Sequence, residues 1–160
     1  MMDKKLKSLW QQQIANELHS SELYIAVASH FDQAGYENLS GFFYGHAKEE
    51  RSHADYLMEY LMKSGNFPTE IPAIPVVSTQ FKSCTAAMEL VASLEELVTS
   101  QINGIASAAA SVNDHAAYSS IQHLVDEQVE ELDWSSKLLM NIRSAEATNT
   151  LHLFDQNYSS

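Results

Sequence analysis

The sequence predicts an all-α chain. Four long helices form a bundle, one long crossover joins the second to the third, and a short fifth helix follows at the C-terminal end. Three observations predict this. All three prolines, Pro68, Pro72 and Pro75, fall in one stretch. The segments on either side are similar in length, rich in helix-forming residues and poor in Gly and Pro. Within each segment the apolar residues recur at intervals of three and four. Helices of this length run about 40 Å, and four of them with one long connection make a bundle with a crossover.

The elements follow in order. A first helix pair spans about 4–64, with a break near Ala34-Gly35. The crossover covers about 65–81 and is entered through Gly65 as a helix C-cap. A second pair spans about 82–143, with a break near Val112-Asn113-Asp114, and a tail helix covers about 148–156. Residues 1–160 read as a single domain. The first stripe is Leu6, Leu9, Ile14, Leu18, Tyr24, Ile25 and Phe31, and the second is Leu39, Phe42, Phe43, Leu57 and Leu61. Met88, Val91, Val98, Ile102, Ile105 and Val112 form the third. Ile121, Leu124, Val125, Leu132, Leu138, Leu139 and Ile142 form the fourth.

Composition narrows the function. The chain has 160 residues with 9 Lys and Arg against 21 Asp and Glu, a net charge of −12. Such a surface disfavours nucleic acid and anionic membranes, both of which need basic contacts. No run of about 18 apolar residues exists to span a bilayer, and Met1–Trp10 lacks the apolar core of a signal peptide. The lone Cys84 suits a reducing, cytoplasmic setting.

The apolar stripes are interrupted by polar residues at matched places. Glu17 lies on the first, Glu50 and His53 on the second, Glu95 on the third, Gln128 and Glu131 on the fourth. Glu17 and Glu95, Glu50 and Gln128, and His53 and Glu131 are each 78 residues apart, as are Glu49 and Glu127. A polar constellation is therefore repeated without much repetition of its surroundings. Each carboxylate moved into a helical core costs several kcal/mol unless paired or neutralised. Several facing one another also repel. No Lys or Arg shares these stripes; Lys48 and Arg51 flank Glu50 on other faces. Divalent or trivalent cations remove the cost. Glu50 and His53, three apart, put a carboxylate and an imidazole on one helix face within reach of one metal. An isolated Glu-x-x-His is a common surface pair, so the weight lies on its matching half. One Glu from each of two helices, with Glu-x-x-His from each of the other two, is the known arrangement of di-iron carboxylate bundles, and the pattern here is similar to it.

The chain resembles the non-haem bacterial ferritins from about Leu6 to Asp155. The residues that carry the resemblance are Asn16-Glu17-Leu18, Tyr24, the run His46 to His53, the stretch Glu95 to Thr99, and the run Glu127 to Glu131. It implies a ferritin-like fold, iron storage, oxidation of ferrous iron by dioxygen (peroxide being the other oxidant), and a homo-oligomeric shell of 24 subunits. It further implies that Glu17, Glu50 and His53 hold a first iron, and that Glu50 bridges to a second held by Glu95 and Glu131. Gln128 then stands beside the pair. Glu49, Glu127 and Glu130 resemble the carboxylates of a third iron site, and Tyr24 the tyrosine that bonds a ligand and donates an electron.

The fourth helix carries Gln128-Val129-Glu130-Glu131 where bacterioferritins and rubrerythrin-like proteins carry a second Glu-x-x-His, so the two metal positions are unequal. Ser52 stands where a haem-binding bacterioferritin offers Met, and no haem is expected. One Cys cannot build a rubredoxin-type iron site. His19, His30, His46, His115, His123 and His152 read as surface or capping residues. Two other classes of function are a non-storage di-iron enzyme, of peroxidase or oxygenase type, and a purely structural bundle. The structural reading leaves acids on all four core stripes unexplained.

Overall fold

The computed structural model describes residues 1–159. Helix α1 spans Lys4–Gln33, α2 Glu37–Lys63, α3 Cys84–Ser111, α4 His115–Ala147 and α5 Leu151–Asn157. Among the described residues there is no strand. Helix α1 packs on α2, α3 on α4, and α1 on α3, so two antiparallel helix pairs meet as a four-helix bundle with α5 against its end. No helix among the described residues is long and apolar enough to cross a membrane.

Local chemistry fixes the helix ends. Asp3 caps α1 by accepting from the Lys5 and Leu6 amides at 2.9 and 3.2 Å. Ser83 and Asp114 cap α3 and α4 through the Ala86 and Ala117 amides, both at 3.0 Å. Such a cap contributes about 1 kcal/mol. All four long helices end alike, with a left-handed residue two positions past the last turn: Gly35, Gly65, Asn113 and Asn149. At each end two backbone amides fold back on the last carbonyls, as Gly65 and Asn66 do on Met62 and Leu61. Gly and Asn tolerate that conformation best, which is why the chain turns at these four places.

Helix α2 has no side-chain cap of its own. The carboxylate of Asp155, on α5, takes the Leu39 amide at 2.8 Å instead, while its carbonyl accepts from Asn38. Helix α4 runs past the expected end near 143 to Ala147. Ala145 packs into the core there, and Glu146 accepts from the Cys84 and Thr85 amides at 3.0 and 2.9 Å. The tail of one helix pair thereby caps the start of α3.

The core runs the length of the bundle. Trp10, Tyr24, Phe31, Phe43, Leu57, Met88, Ile102 and Ile121 are fully buried within it. Each large apolar side chain contributes about 1.5–3 kcal/mol by leaving water. Trp10 also donates its indole N–H to the Leu57 carbonyl at 3.0 Å, locking α1 to α2. The crossover is pinned where Gln11 accepts from the Thr69 amide at 3.1 Å. These contacts hold the four helices in the register that sets the polar layer inside them.

Candidate metal centre

Halfway along the bundle the apolar core gives way to acids. Glu17, Glu50, Glu95, Gln128 and Glu131 are all buried, Glu95 completely and Glu17 to within 1%. His53 joins them from α2, with its Nδ1 3.4 Å from Glu50 Oε2. One ligand atom each from Glu17, Glu50 and His53 lies within 4.8 Å of the others, close enough to hold one cation. Among the described residues, Lys and Arg pair only with surface acids, as in Lys63–Glu59, Lys137–Asp133 and Arg143–Glu89. None reaches the buried layer.

The consequence is a set of carboxyl groups displaced towards their protonated forms. Burial raises Glu17 well above its ordinary range, and the nearby Glu50 adds to it. Burial pushes Glu50 up to about 8. Burial and the charge of Glu95 do the same to Glu131, also to about 8. Glu95 is raised by burial too, against the pull of hydrogen bonds from Tyr24 and Gln128. A cation in the layer would reverse this by stabilising the charged forms.

Two of the ligand candidates, Glu95 and Glu131, are held by donors from other helices or from their own. The Tyr24 hydroxyl donates to Glu95 Oε1. Gln128 donates from Nε2 to Glu95 Oε2 at 3.2 Å and to Thr99 at 3.0 Å. Trp134 donates its indole N–H to Glu131 Oε2 at 2.6 Å. Two carboxyl oxygens, Glu17 Oε2 and Glu50 Oε2, are buried with no donor N–H or hydroxyl from a neighbouring residue; at these oxygens the two carboxyls have only each other. A buried acceptor without a donor is costly, and a metal would supply what these two lack.

The fold agrees with that of other chains. The family model described as a ferritin-like domain matches residues 8–145. The chain belongs to the ferritin-like family. Ferritin BfrB of Mycolicibacterium smegmatis is 36% identical over 154 residues, spanning 96% of this chain and 84% of that protein. A bacterial non-heme ferritin of Staphylococcus haemolyticus is 29% identical over 157 residues, spanning 98% and 94%. Among solved structures, an open-pore ferritin from the archaeon Archaeoglobus fulgidus superposes with a TM-score of 0.91 at 27% identity, covering 98% of this chain and 96% of that one.

This ferritin-like chain brings the expected di-iron residues into one layer but divides the three acids expected at a third site. Glu49 Oε2 lies 3.4 Å from His46 Nδ1, and Glu131 Oε2 lies 3.8 Å from the same nitrogen. His46, Glu49 and Glu131 thus form a second group whose ligand atoms lie within 4.8 Å of one another. Glu127 Oε2 instead stands 3.1 Å from His53 Nε2, the nitrogen opposite Glu50. Glu130 is exposed and belongs to neither group.

The expectation of a surface or capping role fails for His46. Its ring lies between Tyr24 and Trp134, at centroid distances of 5.4 and 4.5 Å, with the Phe42 ring at 4.5 Å. Burial, with His53 nearby, lowers its pKa to about 4, so the imidazole is neutral and suited to bind a metal. A groove lined by Gly41, Phe42, Gly45, His46 and Glu49 opens beside it. Its position one turn before Glu50 was a signal in the sequence, but its partner on α4 depends on how the helices cross.

Proposed function

We propose that this chain is the subunit of an iron-storage ferritin that oxidises ferrous iron at the buried carboxylate layer. The observation that carries the reading is the layer itself: four interior glutamates with no Lys or Arg partner, two of them with a buried oxygen that no N–H or hydroxyl reaches. Glu17, Glu50 and His53 hold the first ferrous ion, and Glu50, Glu95 and Glu131 the second. Iron is the substrate and cargo. Carboxylate and imidazole donors suit iron, and anionic oxygens favour its ferric state.

Two ferrous ions side by side each supply one electron to dioxygen, which takes up two protons and leaves as hydrogen peroxide, while water hydrolyses the two ferric ions, which release protons and move on as mineral. Gln128 stands on the Glu95 side, placed to bond an oxygen species or water. Tyr24, hydrogen-bonded to Glu95, is an electron donor close at hand. A third iron position rests on Glu49, joined by His46, with Glu127 and Glu130 forming the acidic approach. The unequal donor sets, one with nitrogen and one all oxygen, give the two main positions different affinities.

Assembly into a homo-oligomeric shell of 24 subunits accords with the exposed apolar side chains of Ile25, Tyr44, Phe67 and Val76, which a neighbouring copy would cover. A cytoplasmic location accords with the free, buried Cys84. Light scattering of the purified protein should give a particle of about 24 subunits of 17.9 kDa. Aerobic loading of that particle should deposit far more than three irons per subunit. A monomer that binds two irons and forms no mineral would overturn the storage reading in favour of a di-iron enzyme of peroxidase or oxygenase type.

A further inference from the structure

Gln13 is an amide in the middle of an apolar stripe, only 1% exposed, with Trp10 and Ile14 beside it on α1. A leucine there would fill the same space without the penalty of burying polar atoms. Its hydrogen bonds show what the amide does. Its Nε2 donates to Glu17 Oε1 at 2.7 Å. Its Oε1 accepts from Asn16 Nδ2 at 3.0 Å, and Asn16 Oδ1 accepts from Gln12 Nε2 at 3.1 Å. The three amides form a one-way chain from the surface inward. With Asn16 donating to the Gln13 carbonyl, the Gln13 N–H group faces Glu17.

The two oxygens of Glu17 are thereby made unequal. Oε1 is taken by Gln13, whereas the buried Oε2 receives no donor of this kind, and Glu17 gathers with Glu50 and His53. Glu95, the matching glutamate of the second half, differs: Tyr24 and Gln128 donate to its two oxygens. Val91 occupies the position on α3 that Gln13 occupies on α1, so nothing on α3 repeats the amide.

We propose that Gln13 is a positioning residue that makes Glu17 a one-oxygen ligand, reserving Oε2 for the metal and keeping Oε1 out of its coordination sphere. The inference rests on the reading of Glu17, Glu50 and His53 as the first metal position. With only one oxygen from Glu17, that position keeps an open site for incoming dioxygen. Without Gln13, Glu17 swings to present both oxygens and closes it.

The test uses the assembled, iron-free protein titrated with Co(II), whose visible absorption per bound ion weakens as coordination number rises. In the wild type a Co(II) band that is lost in Glu17→Ala and His53→Ala marks the first position. Gln13→Leu should weaken that band per bound ion and change Co(II) affinity by about 10-fold, the usual scale for losing an outer partner of a ligand. Asn16→Ala, on the half-exposed side of α1, should shift the band the same way by less, because it only frees the Gln13 amide to rotate. An assembled Gln13→Leu protein with the wild-type band and affinity overturns the proposal. If Gln13→Leu does not assemble, an unshifted band in Asn16→Ala overturns it. A wild type with no Co(II) band dependent on Glu17 and His53 overturns the metal-site reading itself, and the role of Gln13 with it.

Discussion

Replacing Glu50 by glutamine should stabilise the metal-free protein at neutral and alkaline pH while impairing iron binding at the buried pair of positions it is proposed to bridge. Glu50 is buried to within 2%, and its pKa is raised from 4.5 to about 8. A carboxyl whose folded pKa lies above its unfolded one binds its proton more tightly in the native state. Its stabilising effect is complete below about pH 4.5 and is lost as pH rises through about 8. At about 1.4 kcal/mol per unit, a carboxyl shifted this far removes up to about 5 kcal/mol from the native state near pH 8. E50Q cannot ionise and escapes that loss. The unmet donors of the new amide take back about 1–3 kcal/mol. A net gain of about 2–4 kcal/mol at pH 8 remains, or roughly 5–15 °C in Tm for a chain of this size. Thermal unfolding of iron-free wild type and E50Q at pH 5, 6.5 and 8 measures it. The wild-type Tm should fall across that range, and E50Q should fall less steeply. Adding a divalent cation should restore the wild type at pH 8 and leave E50Q nearly unmoved. A wild-type Tm flat from pH 5 to 8, or an E50Q protein that melts below wild type at pH 8, would refute the reasoning.

Other perturbations separate the parts of the site. Glu17→Ala and His53→Ala should each abolish the fast ferrous oxidation seen by stopped-flow absorbance, because each removes a donor from the first position; an unchanged initial rate would count against both assignments. His46→Ala or Glu49→Ala should leave that first phase standing and slow the later turnovers or change the iron-to-oxygen ratio, since the second group lies beside the layer. Trp134 touches Glu131 and Trp10 does not, so metal titration should quench tryptophan fluorescence in wild type and W10F but not in W134F. Asp155→Ala should lower stability by about 1–2 kcal/mol through loss of the cap on α2, read as a drop in Tm; an equal Tm would mean that water replaces the carboxylate at no cost.

Much of the fold was legible because its signals are local. The prolines at 68, 72 and 75 cannot sit inside a helix, and Gly35, Gly65 and Asn113 stand where a helix must reverse its backbone hand. The ends of α4 and α5 were less legible, because what extends α4 to Ala147 is a bond from Glu146 to the start of α3, some sixty residues away. The buried acids could be read from their matched spacing on the apolar stripes. Their neighbours across helices could not. His46 meets Glu131 only through the crossing of α2 over α4, and the same crossing takes Glu127 away from Glu49 and towards His53. Gln13 was within reach of local reasoning, being one turn before Glu17 on the same face, but a buried amide carries no signature that separates it from a surface one.

The pairing of the helices also bears on the order in which a growing chain acquires its chemistry. Glu17, Glu50 and His53 all lie in α1 and α2, the first pair to leave the ribosome, and contacts within that pair are closer in sequence than those that join it to the second pair. That half of the layer can gather as soon as residue 63 is free. Glu95 and Glu131 arrive later, and Asp155, which closes the open end of α2, comes almost last. On the proposed reading of Glu17, Glu50 and His53, a nascent chain would hold its nitrogen-bearing group before the all-oxygen one, and an ion bound there would draw the first helix pair together while the second is still being made.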